Sequence, residues 1–155
     1  MMKPEVSDGD QPDVLVDFPT VIRLPIHWGD QDAFGHVNNT VPIRWFESSR
    51  IAYIERGCSD LMQDSQKLGP ILASITCNYR RQLRYPDTVR VAARISRLGR
   101  SSLTMEHVVY SESQQEIAAD GTSVIVIFNY ETNRPTRISD EVRAAIEQLE
   151  GKSFA

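Results

Sequence analysis

Residues 28–50 place two carboxylates, a histidine and paired asparagines just before an apolar run with helical spacing. Asp30 and Asp32 lie two residues apart in a predicted loop. The helix N-terminus after them would offer unpaired N–H groups and the positive end of a dipole. A carboxylate beside such an N-terminus can act as base or nucleophile on an ester or thioester. The same spacing also suits plain N-terminal capping, and the residues alone leave both interpretations open.

A turn-forming run, Gly35-His36-Val37-Asn38-Asn39, links these carboxylates to the helix. Glycine and asparagine tolerate positive φ, which lets the backbone pass close to a bound ligand. His36 follows Asp32 by four residues and is therefore within reach of the same small site. An ordinary turn with a structural histidine remains the alternative.

A cationic segment lies at positions 79–100, where seven arginines face a single acidic residue, Asp87. Because the whole chain has a formal net charge of −4, this local excess indicates a specific anionic ligand more than a polyanion. Strand alternation would place Arg80 and Arg84 on one face and Arg81 on the other. One row could bind a phosphate through bidentate guanidinium contacts, although a solvated sheet face explains the pattern equally well.

Other catalytic and binding patterns are missing from the sequence. Ser48 and Ser49 do not lie in the GxSxG turn of a serine hydrolase, and no glycine-rich phosphate loop occurs. The three histidines lack metal-ligand spacing. Aromatic residues do not alternate with basic ones as a nucleic-acid platform requires. We therefore expect neither a metal site nor a nucleic-acid partner.

Length and composition indicate one soluble domain. The 155 residues suffice for a substantial core. Cys58 and Cys77 form neither a metal-ligand pair nor a disulfide scaffold. The sequence begins without a basic-then-apolar leader, and its longest aliphatic or aromatic run, Val124 to Phe128, is too short to span a bilayer. We expect a cytoplasmic protein with no membrane partner.

The period of the apolar residues predicts where the elements lie. After Asn39 it predicts a helix that ends at Gly57 and is apolar over most of its circumference, so other elements must enclose it. Residues 1–17 are acidic and are predicted to form a flexible tail ahead of a single domain at 18–155. Strands are predicted at 20–28, 71–84, 88–97, 102–112 and 116–130, with a polar connection at 58–69.

The order of the elements favours an α+β fold. One strand, a long helix, four antiparallel strands and a final helix after Ser139 suit one antiparallel β-sheet wrapped around one long central α-helix. The VIVIF run at 124–128 predicts a strand buried on both faces, central in the sheet or under a partner subunit. Because one helix leaves edges and surfaces of the sheet uncovered, we expect a homodimer or homotetramer.

The motif around Asp32 resembles that of a known family. The run from Asp32 to Asn39, DAFGHVNN, followed by Trp45, Glu47 and Arg50, is similar to the DxxxHVNN…E..R signature of hotdog-fold acyl-CoA thioesterases of the 4-hydroxybenzoyl-CoA thioesterase-like superfamily. The run Asn78-Tyr79-Arg80-Arg81 followed by Asp87 also resembles the second strand and turn of that family. The likeness covers about residues 20–150 and implies the hotdog fold.

The resemblance implies roles for individual residues. Asp32 would be the catalytic carboxylate, acting on the thioester carbonyl directly or through water. The helix N-terminus near Asn38 and Asn39 would supply the oxyanion contact, at a site across a dimer interface. Glu47 is a second catalytic candidate, although a helical salt bridge with a neighbouring arginine, Arg44 or Arg50, is the alternative. The arginine segment would hold the phosphates of coenzyme A.

These considerations give two sets of candidate residues. The catalytic set is Asp32, His36, Asn38, Asn39 and Glu47. The substrate-binding set is Gly35, Val37, Trp45, Arg80, Arg81, Arg100 and Ser101. At Pro42 the family usually carries an aromatic residue, so the wall of the acyl pocket is expected to differ.

The sequence therefore predicts an acyl-CoA thioesterase that converts acyl-CoA and water to a carboxylic acid and coenzyme A, without a metal or an organic cofactor. Two alternatives stay open at this point. One is a hotdog hydratase or dehydratase, which also uses aspartate and histidine; the other is a non-catalytic module that binds acyl thioesters. The motif does not set the acyl group, nor does it decide between coenzyme A and acyl-carrier-protein thioesters.

Overall fold

The computed structural model describes residues 4–7, 9–62 and 67–154. Residues 1–3 and 8 of the predicted tail, and residues 63–66 of the predicted connection, lie outside these ranges. The described chain forms an antiparallel sheet and two α-helices, with short 3-10 turns between some of them. The elements are β1 (Glu5–Val6), β2 (Thr20–Pro25), α1 (Val41–Gly57), β3 (Leu68–Tyr79), β4 (Thr88–Leu98), β5 (Ser102–Ser111), β6 (Glu116–Asn129), β7 (Arg134–Pro135) and α2 (Asp140–Glu150).

A single sheet wraps around α1. Its strands lie in the order β1-β2-β4-β5-β6-β3, with β7 paired to β6, and all of these pairs are antiparallel. The helix buries Trp45, Phe46, Ser49 and Tyr53, which share one face at a spacing of three and four residues. The predicted architecture, one antiparallel sheet around one long helix, is confirmed.

One stripe of α1 stays outside this enclosure. Arg44, Glu47 and Glu55 are exposed, as the narrow polar band of the helix predicts. Ile51 lies in the same stripe and is 38% exposed. A single chain therefore does not enclose the helix completely.

The third strand is shorter than the sequence predicts. The predicted strand runs to residue 84, whereas β3 spans Leu68–Tyr79. Its ladder with β6 ends there because the next two N–H groups, those of Arg80 and Arg81, both donate to the carbonyl of Ala118, at 2.8 and 3.0 Å. The chain beyond is irregular, so the prediction that Arg80 and Arg84 share one strand face is wrong.

Part of the segment predicted as a flexible tail lies against the sheet. β1 pairs with β2, and Leu15, which has no exposed surface, packs with Val21 and Ala92. Phe18 packs against the same cluster, and the Arg94 guanidinium carbon lies 4.4 Å from the centre of its ring. Prediction from the acidic composition misses these contacts because only a few apolar side chains make them.

The VIVIF run occupies β6, between β5 and β3 in the sheet. It is an interior strand, but it lies next to the edge strand β3 and not at the centre of the sheet. Burial on both faces is not complete in one chain, because Ile125 and Ile127 are buried whereas Val124, Val126 and Phe128 are half-buried. The second face of this strand is therefore only partly covered by the described residues.

The closing helix, α2, is fixed at both ends. The Ser139 hydroxyl accepts a hydrogen bond from the N–H of Val142 at 3.2 Å, which confirms the predicted N-cap. At the other end, Glu150 Oε1 accepts from the Tyr53 hydroxyl at 2.6 Å and from the Ile95 N–H at 2.7 Å. One carboxylate thus ties α2 to both α1 and β4.

The core under α1 contains a buried polar cluster around His107. This residue is 1% exposed, and its ring stacks on Phe46 with centroids 4.7 Å apart. Its Nδ1 lies 3.0 Å from the Ser49 hydroxyl and its Nε2 lies 2.8 Å from the Ser123 hydroxyl. Burial, with a smaller effect of the Arg50 charge, lowers the pKa of His107 to about 3. The imidazole is therefore neutral in the folded protein.

Stability should consequently fall when the pH drops below the ordinary pKa of histidine. The unfolded chain takes up a proton on His107 near pH 6.5, whereas the folded chain resists until about pH 3. The contribution of this residue is complete above pH 6.5 and is lost as the pH falls towards 3. The expected slope is at most about 1.4 kcal/mol per pH unit. Urea unfolding between about pH 7 and pH 4 should show it.

The matched comparison is His107→Gln, which keeps polar atoms but removes the titrating group. Its stability should depend less on pH over the same interval, whatever its absolute value. Parallel pH profiles for the wild-type protein and the variant would show that carboxylates elsewhere cause the acid sensitivity.

Candidate active site

The loop between β2 and α1 closes on itself around Asp32. The Asp32 N–H donates to the carbonyl of His36 at 2.7 Å, and the Gly35 N–H donates to the carbonyl of Asp32 at 3.1 Å. Gly35 has a φ of 78°, as the sequence predicts for a turn here, and side chains with a Cβ rarely adopt this value. Gln31 and Val37 form a β-bridge across the base of the loop. These contacts hold Asp32 and His36 side by side.

One oxygen of the Asp32 carboxylate is held by the backbone and the other is not. Oδ1 accepts hydrogen bonds from the N–H of Phe34 at 2.8 Å and from the N–H of His36 at 3.4 Å. Oδ2 has no partner in the part of the chain that the structure describes. The carboxylate is thus oriented while one oxygen remains available, as a base or nucleophile requires.

Asp30, by contrast, is a capping residue. Its Oδ2 accepts from the N–H of His27 at 2.8 Å, and its backbone carbonyl accepts from the N–H of Asn38 at 2.8 Å. Asp30 therefore caps the short 3-10 turn Trp28–Asp30, and neither Asp30 nor Asp32 caps α1, whose N-cap residue is Thr40.

α1 begins at Val41, two residues after the paired asparagines, with Thr40 as its N-cap residue. The Asn38 side-chain oxygen accepts from the N–H and the hydroxyl of Thr40, both at 2.9 Å, and the Asn38 carbonyl accepts from the N–H of Val41 at 3.0 Å. Pro42 has no N–H to offer. Among the described residues, the N–H of Asn39 donates to no group. This leaves one backbone donor beside the cavity that could hold an oxyanion.

His36 is oriented from the opposite wall. The Arg84 guanidinium lies 2.9 Å from Nε2 of the imidazole. A guanidinium can only donate, so Nε2 accepts and a neutral His36 carries its proton on Nδ1. The tautomer leaves His36 with one N–H donor that a bound ligand can use.

A cavity of about 320 Å³ lies beside Asp32, His36 and the residues at the start of α1. Asp32, His36 and Asn39 lie on one side of it, and Tyr79 and the loop after β3 lie on the other. Its remaining apolar lining is small and aliphatic, formed by Val37, Pro42, Leu83, Ala118 and Ala119. The site therefore combines a carboxylate, an unused amide donor and a weakly polar wall.

A second groove, with arginines along it, lies beside the cavity. Arg80 and Arg81 line both depressions, and Arg84 lines the second. Arg80 is paired with Asp120, with Nε 3.0 Å from Oδ2, and this hydrogen bond lowers the pKa of the Asp120 carboxyl. Arg81 Nε lies 2.7 Å from Glu116. Both ion pairs are half-exposed, so an anionic ligand can compete for the guanidinium groups.

Several predicted site residues lie elsewhere in the chain. Trp45 is 6% exposed and packs in the core. Glu47 lies 4.0 Å from Arg50 and lines a different depression from Asp32, in keeping with the salt-bridge alternative. Arg100 and Ser101 lie in the β4–β5 hairpin, where Ser101 contacts the far end of β6. One chain does not bring these residues to the cavity.

Two residues of the site are missing from the predicted set, Tyr79 and Arg84. Both act on groups more than 35 positions earlier in the chain: Tyr79 on Asn39 and Arg84 on His36. No local pattern specifies such pairs. The sequence signals were the family-like run Asn78-Tyr79-Arg80-Arg81 and the arginine-rich character of the segment.

The described residues contain no group of three or more histidine, cysteine, aspartate or glutamate side chains placed to hold a metal ion. In the described part of the chain, no helix is long and apolar enough to cross a membrane.

Comparison with known proteins agrees with the motif around Asp32. A model of the thioesterase-like superfamily matches residues 26–146. A thioesterase of Thermus thermophilus, solved with coenzyme A and Zn, is 34% identical, with a TM-score of 0.78 over 90% of this chain and 99% of that chain. The long-chain acyl-CoA thioesterase FadM of Escherichia coli (strain K12) is 23% identical over 118 residues, covering 76% of this chain and 89% of that protein.

The fold is also shared with more distant proteins. A thioesterase superfamily structure from Jannaschia sp. CCS1 has a TM-score of 0.79 at 24% identity, over 90% of this chain and 88% of that chain. The sheet order, the enclosed helix and the family match lead to one conclusion. The chain belongs to the thioesterase-like superfamily and is a thioester hydrolase with the hotdog fold.

Proposed function

We propose that this protein is an acyl-CoA thioesterase that uses Asp32 to convert an acyl-CoA and water to a carboxylic acid and coenzyme A. The observation that carries the proposal is the free Oδ2 of an otherwise fixed Asp32 at a cavity that Asn39 also lines. A carboxylate next to an unused amide donor can attack, or activate water against, a carbonyl carbon.

The thioester carbonyl would lie between the two groups. Its oxygen would accept from the Asn39 N–H, which stabilises the negative charge that develops when the carbonyl carbon becomes tetrahedral. Asp32 would then act in one of two ways. As a general base it removes a proton from water while water attacks; as a nucleophile it forms an acyl anhydride that water hydrolyses. Both routes break the C–S bond and release the thiol.

His36 would assist at the same centre. Since Arg84 occupies Nε2, its Nδ1–H is the donor left for the substrate. A donor there would help to orient the thioester or to stabilise charge on the departing sulfur.

Arg80, Arg81 and the neighbouring groove would bind the phosphates of coenzyme A. The groove has a volume of about 560 Å³ and opens beside the cavity. Guanidinium groups suit phosphates because they donate two parallel hydrogen bonds. The acyl group would extend along the aliphatic wall formed by Val37, Pro42 and Leu83.

We also propose that two copies of the chain complete the site. β3 is at the end of the sheet path and pairs only with β6 among the described strands, so its other edge is open. Near the site, Trp28 is 74% exposed and Phe34 is 83% exposed, an apolar surface that a partner would cover. Arg100 and Ser101 could then reach the ligand only from the second copy. Light scattering should give the mass of at least a dimer.

A cytoplasmic location belongs to the same proposal. Cys58, which is buried, and Cys77, which is half-buried, are not joined in a disulfide, which suits a reducing compartment.

The test is thiol release from acyl-CoAs of graded chain length, with an aromatic acyl-CoA included. Turnover of at least one of them, with equal amounts of acid and free thiol, is the expected result. Binding of acyl-CoA without thiol release would favour the non-catalytic alternative. Hydration of crotonyl-CoA without thiol release would favour the hydratase.

A further inference from the structure

Tyr79 joins the sheet to the start of the central helix. It is the last residue of β3, lines the cavity, and is 51% exposed. Its hydroxyl donates a hydrogen bond to the backbone carbonyl of Asn39. The two residues are 40 positions apart in the sequence, so the contact exists only in the folded sheet.

This contact fixes one end of a peptide group whose other end is also held. The Asn39 carbonyl and the Thr40 N–H belong to the same peptide, and the Asn38 side chain accepts from that N–H at 2.9 Å. In a longer helix the carbonyl would accept from the N–H of Ile43, four residues on. Among the described backbone groups that bond is not made, and the Tyr79 hydroxyl takes its place.

Two N–H groups at this end of the helix, those of Asn39 and Ile43, donate to no described backbone group, and of these two residues only Asn39 lines the cavity. The donor beside the cavity is therefore the N–H of Asn39. It belongs to the preceding peptide, whose carbonyl, on Asn38, accepts from the Val41 N–H at 3.0 Å. Both peptides that flank the Asn39 Cα are therefore fixed. The direction of the unused N–H depends on how these two peptides are held. Among the described residues, Tyr79 is the one that contacts them from outside the loop and the helix.

We propose that Tyr79 is a positioning residue for the oxyanion contact, holding the Asn39 peptide so that the preceding N–H points at the thioester oxygen. This inference rests on the proposed thioesterase function. The hydroxyl proton is donated to the Asn39 carbonyl, so it is not available to the substrate. Partial burial, with hydrogen bonding to Cys77, raises the pKa of Tyr79; the phenol therefore stays protonated and remains a donor at neutral pH.

The test is Tyr79→Phe, which keeps the ring in the cavity wall and removes the hydroxyl. Misplacing a catalytic donor by about 1 Å can cost as much as a hundredfold in rate, so kcat should fall about tenfold to a hundredfold. The KM for acyl-CoA and the melting temperature should stay close to wild-type values. Tyr130→Phe is the control, because Tyr130 lies away from the cavity and its hydroxyl has no partner among the described residues.

A second readout separates positioning from general structure. A coenzyme A analogue with a trifluoromethyl ketone in place of the thioester forms a tetrahedral adduct that needs the oxyanion donor. A thioether analogue, which has no carbonyl, does not need it. In Tyr79→Phe the affinity for the ketone should weaken by about the same factor as kcat, and that for the thioether should not change.

The outcomes distinguish the proposed thioesterase function from the proposed role of Tyr79. If the wild-type protein hydrolyses no acyl-CoA, the proposed function fails and this inference fails with it. If the wild-type protein is active and Tyr79→Phe has an undiminished kcat, only the role of Tyr79 is overturned. A parallel loss of thioether binding and melting temperature would likewise overturn it, because that result indicates a structural role.

Discussion

Replacing Asp32 by asparagine is expected to reduce thioester hydrolysis by roughly 10²- to 10⁴-fold, the usual contribution of a positioned acid–base group. The side-chain amide cannot take up a proton or form the anhydride. Its carbonyl oxygen can still accept from the N–H groups of Phe34 and His36, as Oδ1 does in the wild-type protein. The loop should therefore keep its shape, and the melting temperature should change little.

Asp30→Asn provides the matched control. It makes the same chemical change two residues earlier, at a carboxylate whose oxygen already accepts from the N–H of His27. Thiol release by this variant should remain within a few-fold of the wild-type rate. If Asp32→Asn hydrolyses acyl-CoA as fast as Asp30→Asn, then Asp32 is not the catalytic carboxylate.

Among alanine substitutions of the glycines, Gly121→Ala is expected to cause the largest loss of stability. A Cβ at this position would lie 2.0 Å from the carbonyl oxygen of Thr76, on the neighbouring strand, and 2.8 Å from the ring of Phe46. The first contact is with backbone, so it cannot be relieved by turning a side chain. β3 would have to move away from β6, which pairs with it here through Cys77 and Gly121.

The expected cost is about 3 kcal/mol, the upper end for overpacking a core. For a domain of this size it corresponds to a drop in melting temperature of roughly 6–12 °C. Gly29→Ala is the control, because a Cβ there meets nothing within 4 Å. Equal melting temperatures for the two variants would mean that the β3–β6 contact is looser than the structure indicates.

Local patterns in the sequence predict the elements of this fold well. The helix that ends at Gly57 and the N-cap at Ser139 could be predicted because both depend on residues close together in the chain. The strand prediction failed after Tyr79, where two consecutive N–H groups turn to one carbonyl. Alternation alone cannot show where such a ladder stops.

The site could be predicted only in part, for the same physical reason. Gly35 has the predicted positive φ, and the loop brings Asp32 and His36 together within one turn. The contacts of Tyr79 and Arg84 join distant positions, and only the closed sheet creates them. For Arg100, the motif gave no information on which end of the sheet its hairpin occupies.

The hydrogen bonds between the β2–α1 loop and the β3–β4 loop affect when activity appears during folding. The N–H of Val37 donates to the carbonyl of Leu83 at 2.8 Å, and the N–H of Tyr85 donates to the Gln31 side chain at 3.2 Å. Contacts between positions so far apart form late, since chain entropy opposes them until the intervening segment is ordered. During renaturation, the circular dichroism signal of the helix should return before turnover does. The recovery of enzymatic activity would then report the time at which the contacts of the closed sheet form.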